Sequence, residues 1–267
     1  MFNHKPNNTN PSPLSRIRLT FKHVLSKTLP ILAVAAALTL TPTPPSHAQE
    51  NPATPEKPTS EKSAPIKLVA LGDSLTAGYQ LPPGTGFPEQ LGAKLLEKGY
   101  NVIVNNAGVS GDTTSGGRAR LDWALEEDTD AVILELGPND ALRGIDPALT
   151  RQNLEAIILE MHKRGIKVLL AGALAPPNMG PDYAAAFNPI YPELATKHGI
   201  LLYPFFLDGV AAQPKLNLAD GMHPTAEGVG VIVEAILPRV EELIDEVRRA
   251  RTAKTDQSGL SPASATH

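Results

Sequence analysis

Residues 68–79 read Leu68-Val69-Ala70-Leu71-Gly72-Asp73-Ser74-Leu75-Thr76-Ala77-Gly78-Tyr79, and the fold follows from the change of character at Gly72. Ile66 to Leu71 is a short run rich in Ile, Leu and Val, the composition of a buried strand. Glycine at 72 lets the chain turn through angles that a side chain forbids. Asp73 and Ser74 then precede a segment able to enter a helix. A serine so placed sits at the carboxyl edge of a strand, where open α/β sheets put their ligands. Its N–H lies near a helix start suited to an anion. That is a good position for a nucleophile, although the same residues also suit a plain Ser/Asp turn or helix cap.

Downstream, strand-like and helix-like stretches alternate. Phe87–Glu97 has apolar residues at helical spacing and a stop signal at Lys98-Gly99; Asn101–Val104 reads as a second strand. Asn105–Gly117 is glycine-rich and reads as a loop, Arg118–Glu127 as a helix, and Ala131–Leu136 as a third strand ending in Gly137-Pro138-Asn139-Asp140. Leu149, Leu154, Ile157, Ile158 and Met161 mark a long amphipathic helix closed by Gly165, followed by a fourth strand at Lys167–Ala171. A Pro/Gly-rich segment leads to a helix over roughly Tyr183–His198, a fifth strand at Ile200–Tyr203, and a last helix over Thr225–Arg249, with a bend expected at Pro238. The expectation is an α/β protein: a three-layer α/β/α sandwich around a five-stranded parallel sheet.

The ends of the 267-residue chain look different. Arg16, Arg18, Lys22 and Lys27 form a basic region, Leu29–Leu40 an apolar run, and Ser46-His47-Ala48 a small-x-small site, which together read as a signal peptide over residues 1–48. The apolar run is shorter than the roughly 20 residues that span a bilayer; a retained anchor is the alternative. Residues 49–65 are rich in Pro, Thr, Ser, Glu and Lys and read as a disordered linker. The domain is expected over 66–250, with a disordered tail at 251–267. Residues 1–48 hold five basic residues and no acidic one, so their removal leaves 19 basic against 28 acidic and a formal charge of −9. Such a surface is a poor partner for nucleic acid, and no stable membrane insertion is expected after cleavage. The absence of cysteine excludes disulfides, a thiol nucleophile and cysteine-ligated zinc. A periplasmic or secreted bacterial location is expected, with no metal and no cofactor.

A serine attacks an ester only when a base takes its proton, and a carboxylate best fixes that base's tautomer. Beyond the leader the histidines are His162, His198, His223 and His267. His162 and His198 are explained as helix-terminal cations, and His267 lies in the tail. His223 follows a strand and a loop and has Asp220 three residues before it, a spacing that bends the carboxylate back onto the imidazole; an Asp-Gly turn with a capping histidine is the plainer alternative. Gly111 offers a backbone N–H and Asn139 a side-chain amide as oxyanion donors beside the N–H of Ser74, unless Asn139-Asp140 is merely an Asx turn. In a parallel sheet the groups that follow successive strands share one edge and can converge.

The blocks GDSLTAGY at 72–79, NAGVSGDTTSGG at 106–117, LGPND at 136–140 and DGMHP at 220–224 together resemble the SGNH hydrolases, or GDSL esterases and lipases. The likeness covers nearly all of residues 66–245 and is nearest to the bacterial secreted thioesterase/lysophospholipase and arylesterase branch. It implies a flavodoxin-like SGNH hydrolase fold, Ser74 as nucleophile, His223 as base, Asp220 as its orienting acid, and Ser74, Gly111 and Asn139 as oxyanion donors. Asp73 and Asp112 are read as holding loops. Leu142–Pro147 and Leu174–Phe187, taken as loops at the catalytic edge, are expected to wall the acyl group. Relatives commonly have a small residue where this chain has Pro138, which should stiffen the loop carrying Asn139. Thr76, two residues after Ser74, departs from the Gly-x-Ser-x-Gly elbow of α/β-hydrolases. The expected activity is hydrolysis of aryl or short-to-medium acyl esters, extending to lysophospholipids and thioesters. A carbohydrate O-acetylesterase of the same fold ranks behind it, because one Trp, five Tyr and six Phe leave little surface for stacking sugars. A flavodoxin-like binding module, with Gly72–Gly78 cradling a phosphate, is the alternative of another class.

Overall fold

The computed structural model describes residues 64–259. The expected leader, nearly all of the expected linker, and residues 260–267 lie outside the described residues. Five parallel strands form one sheet: β1 (Ile66–Gly72), β2 (Val102–Gly108), β3 (Ala131–Glu135), β4 (Lys167–Ala171) and β5 (Leu201–Tyr203), in the spatial order β2-β1-β3-β4-β5. The helical elements are α1 (Ser74–Ala77), α2 (Phe87–Glu97), α3 (Thr114–Ala119), α4 (Leu121–Ala124), α5 (Pro138–Leu142), α6 (Pro147–Lys163), α7 (Pro181–Phe187), α8 (Ile190–His198) and α9 (Ala226–Gly259), with a 3₁₀ turn at Pro177–Met179. Chain order reverses on the two sides of β1, so the segment that leaves β1 lies at the switch point where such sheets open a crevice.

Alternation along the strands makes the three layers. Leu68 and Ala70 of β1 and Ile133 of β3 face one side, packed with Leu91 and Leu95 of α2 and with Ile232, Ile236, Val240 and Leu243 of α9. Val69, Leu71, Val132 and Leu134 face the other, against Leu154, Ile157, Ile158 and Met161 of α6 and Ile190 and Leu194 of α8. Both faces of the central strands are therefore dry, which is why β1 and β3 read as unbroken apolar runs.

Several boundaries differ from the sequence reading, each for a local reason. β2 runs on to Gly108 because its ladder with β1 continues through the polar pair Asn105 and Asn106, as an edge strand permits. The expected loop after it is correspondingly shorter. The helix expected over 118–127 is two short helices, α3 and α4, broken where Arg120 leaves helical geometry (φ −103°, ψ 8°). The helix expected over 183–198 is likewise two, α7 and α8, separated at Asn188 and Pro189. Residues 174–187, taken as a loop, hold the 3₁₀ turn and α7; both carry a proline in the first turn, where no N–H is needed. The expected loop over 142–147 begins on the last residue of α5 and ends on the first of α6. Leu149, counted in the apolar stripe, is 45% exposed.

The largest correction is at the carboxyl end. α9 passes the expected boundary at 250 and continues to Gly259 with Pro238 inside it. Its Arg251 grips Asp130 through Nε (3.1 Å) and Nη2 (2.6 Å) and donates to the carbonyls of Ala64 (2.7 Å) and Pro65 (3.0 Å). Asp130 also accepts the N–H of Lys67 at 2.8 Å, so one carboxylate ties the start of β1 to the last helix. Among the described residues no helix is long and apolar enough to cross a membrane.

The clamp is partly exposed, which screens its charges. Arg251→Ala should cost on the order of 1 kcal/mol and lower the melting temperature by about 2–4 °C. Thermal unfolding followed by circular dichroism checks this, and no loss of Tm would mean that the Arg251 clamp contributes nothing to stability.

Candidate active site

β1 must end in glycine. A Cβ at Gly72 would lie 2.0 Å from Thr76 Oγ1 and 2.6 Å from Glu135 Oε2, and one at its partner Gly108 would lie 2.2 Å from the Ala77 nitrogen. The two bare positions let α1 settle directly onto the strand ends. Asp73 caps this single turn, its Oδ1 accepting the Leu75 N–H at 3.0 Å, and Gly78 (φ 76°) ends it. Ser74 is the first residue of the turn, at the crevice between β1 and β3.

His223 arrives from the far end of the chain. The loop before α9 is pinned by a bridge between Asn217 and Pro224 and by the His223 carbonyl, which accepts the Leu218 N–H at 2.7 Å. Within it Asp220 folds back on its own backbone: Oδ1 accepts the N–H groups of Met222 (2.9 Å) and His223 (3.0 Å), and Oδ2 lies 2.7 Å from His223 Nδ1. Gly221, at φ 69°, supplies the left-handed residue of this turn. The two backbone donors, first His223 and then Met222, and after them the imidazole, pull the Asp220 pKa down to about 2. Asp220 is thus an acceptor only, which assigns the ring proton to Nδ1 and leaves Nε2 as the acceptor for the Ser74 hydroxyl, 2.8 Å away.

The structure therefore brings Ser74, His223 and Asp220 into one hydrogen-bonded line. The ring of Tyr79 lies over the imidazole, centroids 4.5 Å apart and tilted by 40°. Its hydroxyl accepts from Gln80 Nε2 at 3.0 Å, and Gln80 occupies the left-handed region at φ 56°.

Asn139 sits in the first turn of α5. Gly137 before it has φ 121°, and a Cβ there would lie 2.1 Å from the Tyr191 hydroxyl. Pro138 occupies a helix-opening position, where proline's fixed φ suits the helix and its missing N–H costs nothing. The Asn139 amide donates to Asp73 Oδ2 at 2.9 Å, which joins it to the residue beside Ser74. Gly111 lies in the turn after β2 at φ 84°, with its carbonyl accepting from Arg143 at 2.7 Å. Asp140 accepts the Thr114 N–H at 2.8 Å and the Thr150 hydroxyl at 3.1 Å, fastening the Gly111 loop to the helix of Asn139. Asp112 pairs with Arg120 at 2.6 Å, and Arg120 donates to the Gly72 carbonyl at 3.0 Å. Both aspartates read as loop holders do bond across segments.

The other histidines are elsewhere. His198 Nε2 meets Glu155 at 2.8 Å. His162 does lie in the last turn of α6, but burial, and then the neighbouring His198 and Lys167, depress its pKa, which works against its reading as a helix-terminal cation. His267 lies outside the described residues. The two segments expected to flank the substrate are joined, because the Tyr183 hydroxyl donates to the Ile145 carbonyl at 2.8 Å. Two contributors escaped the sequence reading. Tyr79 carries no signal beyond closing the block GDSLTAGY, and Glu135 stands out as the one acidic residue in the apolar run AVILE.

The GDSL-like lipase/acylhydrolase family model matches residues 70–231. An arylesterase of Vibrio mimicus is 43% identical over 171 residues, covering 64% of this chain and 86% of its own length. Esterase TesA of Pseudomonas aeruginosa is 39% identical over 186 residues, covering 69% of this chain and 92% of its own. Among solved structures, AlinE4, an SGNH-hydrolase family esterase, superposes with a TM-score of 0.57 at 44% identity, covering 67% of this chain and 96% of its own.

Proposed function

This chain belongs to the GDSL-like lipase/acylhydrolase family, and from that premise we propose that it is an exported serine hydrolase that cleaves carboxylic esters through an acyl-enzyme on Ser74. The observation that carries the reading is the placement of one imidazole between the Ser74 hydroxyl and the Asp220 carboxylate, at 2.8 and 2.7 Å. Neither contact has a purpose in a phosphate-cradling module.

In this reading His223 Nε2 takes the Ser74 proton as Oγ adds to the ester carbonyl. The charge that appears on the carbonyl oxygen meets the N–H groups of Ser74 and Gly111 and the Asn139 amide. Collapse of the tetrahedral species breaks the bond to the leaving oxygen, which receives the proton from His223. Water then attacks the acyl-enzyme by the reverse route, again activated by His223, and releases the acid. Asp220 stays ionised throughout and holds the tautomer that the cycle needs.

Aryl and short-to-medium acyl esters are the proposed substrates, with lysophospholipids and thioesters as further members of the class; the names of the Vibrio mimicus arylesterase and of esterase TesA support an ester substrate. Leu142 and Leu174, each about half exposed, lie on the segments that leave β3 and β4 and offer apolar surface for the acyl group. Export rests on the sequence of residues 1–48 and places the enzyme in the periplasm or the medium.

Ser74→Ala and His223→Ala should each abolish most hydrolysis of p-nitrophenyl esters, and the double variant should lose little more, because the two act in one step. Multiplying losses would refute a shared step. Asn139→Ala should lower kcat by about 10²–10³-fold with KM little changed and the fold intact, since its amide acts on charge present only in the transition state; an unchanged kcat would remove Asn139 from the site. Protein isolated from its native host should begin near Gln49 on N-terminal sequencing. A retained Met1 would overturn the leader.

A further inference from the structure

The last residue of β3, Glu135, is 2% exposed, on a strand buried along its whole length. Its Oε2 accepts from the Thr76 hydroxyl at 2.8 Å and from the Asp73 N–H at 3.2 Å. Beside it, on the residue whose N–H it accepts, is the Asp73 carboxyl, 1% exposed. Among the described residues no ion pair of a basic side chain involves either of them. Two adjacent carboxyls in a dry site cannot both ionise, so the pair keeps a proton.

The surroundings decide where that proton resides. Asp73 receives a donor on each oxygen, the Leu75 N–H at 3.0 Å on Oδ1 and the Asn139 amide at 2.9 Å on Oδ2, whereas both donors to Glu135 reach the one atom Oε2. Burial lifts its pKa to about 6, against the pull of those donors. Burial and then the charge of Asp73 hold Glu135 well above the usual carboxyl range. The other ionisable groups nearby do not reverse this order. Tyr191 is a buried neutral phenol donating to the Leu136 carbonyl at 2.9 Å, Asp140 adds negative charge, and Arg120 turns Nε to Asp112 and Nη2 to the Gly72 carbonyl, its buried Nη1 meeting neither carboxyl.

We propose that Glu135 is a positioning residue for the hydrolysis: as the neutral acid it donates to the Asp73 carboxylate, and Asp73, left without a proton, can only accept from the Asn139 amide. This deepens the reading of the site above and rests on it. An asparagine amide has nearly the same shape with its oxygen and nitrogen exchanged. A protonated Asp73 could donate to the amide oxygen and tolerate the exchanged rotamer, which presents the wrong end to a growing negative charge. An ionised Asp73 forbids it. One amide N–H is fixed on Asp73 and the other is kept for the oxyanion. The proton on Glu135 thus sets the polarity of a donor that it does not itself touch.

The test uses the full mature chain, carboxyl-labelled with ¹³C at glutamate, and two substitutions. Carbon NMR at pH 7 should show one glutamate carboxyl with the shift of a protonated acid, and Glu135→Gln should delete that signal. Glu135→Leu, which removes the donor, should lower kcat by about tenfold or more with KM within about twofold. Glu135→Gln keeps a donor that cannot ionise and should recover most of that loss. Fully ionised glutamates at pH 7 would overturn the proposal, as would equal losses of kcat in the glutamine and leucine variants. If the leucine variant does not fold, the carboxyl signal of the unsubstituted chain decides the matter. Ester hydrolysis unaffected by Ser74→Ala would overturn the reading of the site and this inference with it, whereas a missing protonated carboxyl overturns this inference alone.

Discussion

The hydrogen bond between Ser74 Oγ and His223 Nε2 joins residues 149 positions apart, and most of the architecture can be understood as holding its two ends at 2.8 Å. One end depends on the glycine pair Gly72 and Gly108, which lets a single helical turn rest on the strand ends. The other depends on a loop pinned by a backbone bridge just before α9. Neither end adjusts easily. The turn is capped by Asp73 on one side and Gly78 on the other, and the imidazole is boxed between Asp220 and the ring of Tyr79. Support of this kind holds the Ser74 hydroxyl and the His223 ring in register without help from a ligand.

The sheet was legible because its chemistry is regular. β1, β3 and β4 are buried on both faces and leave apolar runs with clean ends, and β4 and α2 begin and end where the sequence places them. β2 was cut short because a ladder can continue through asparagines on an edge strand, where side chains reach water. The divided helices were missed because apolar spacing persists across a break made by one residue's backbone, as at Arg120. The end of α9 was missed for a different reason. Residues past 250 look polar and tail-like, and what orders them is a set of hydrogen bonds from Arg251 to partners more than 120 positions away, which local composition does not record.

In the site, residue types and spacing pointed to Ser74, Asp220, His223, Gly111 and Asn139, since each follows a strand that ends at the same edge. Their mutual support was not visible. That Asp73 grips the Asn139 amide, that Asp140 fastens the Gly111 loop to α5, and that Glu135 is buried against Asp73 are facts of packing between distant segments. Pro138, read as a stiffening departure from relatives, proves to stand where a helix accepts proline at no cost. The difference lies in which turn the proline occupies, and the sequence around it does not specify that.

The position of α9 bears on the order in which the molecule can form. β1 is the first strand made and lies inside the sheet, yet one of its faces is covered by α9, whose residues are the last of the domain to be synthesised. A chain emerging amino-terminus first holds Leu68 and Ala70 without that cover until some 160 further residues have appeared, and His223 comes only just ahead of the helix. Contacts of such long sequence separation form late and slowly. Until those residues have appeared, the nascent chain lacks both the cover of that face of β1 and the imidazole that meets Ser74 in the finished fold.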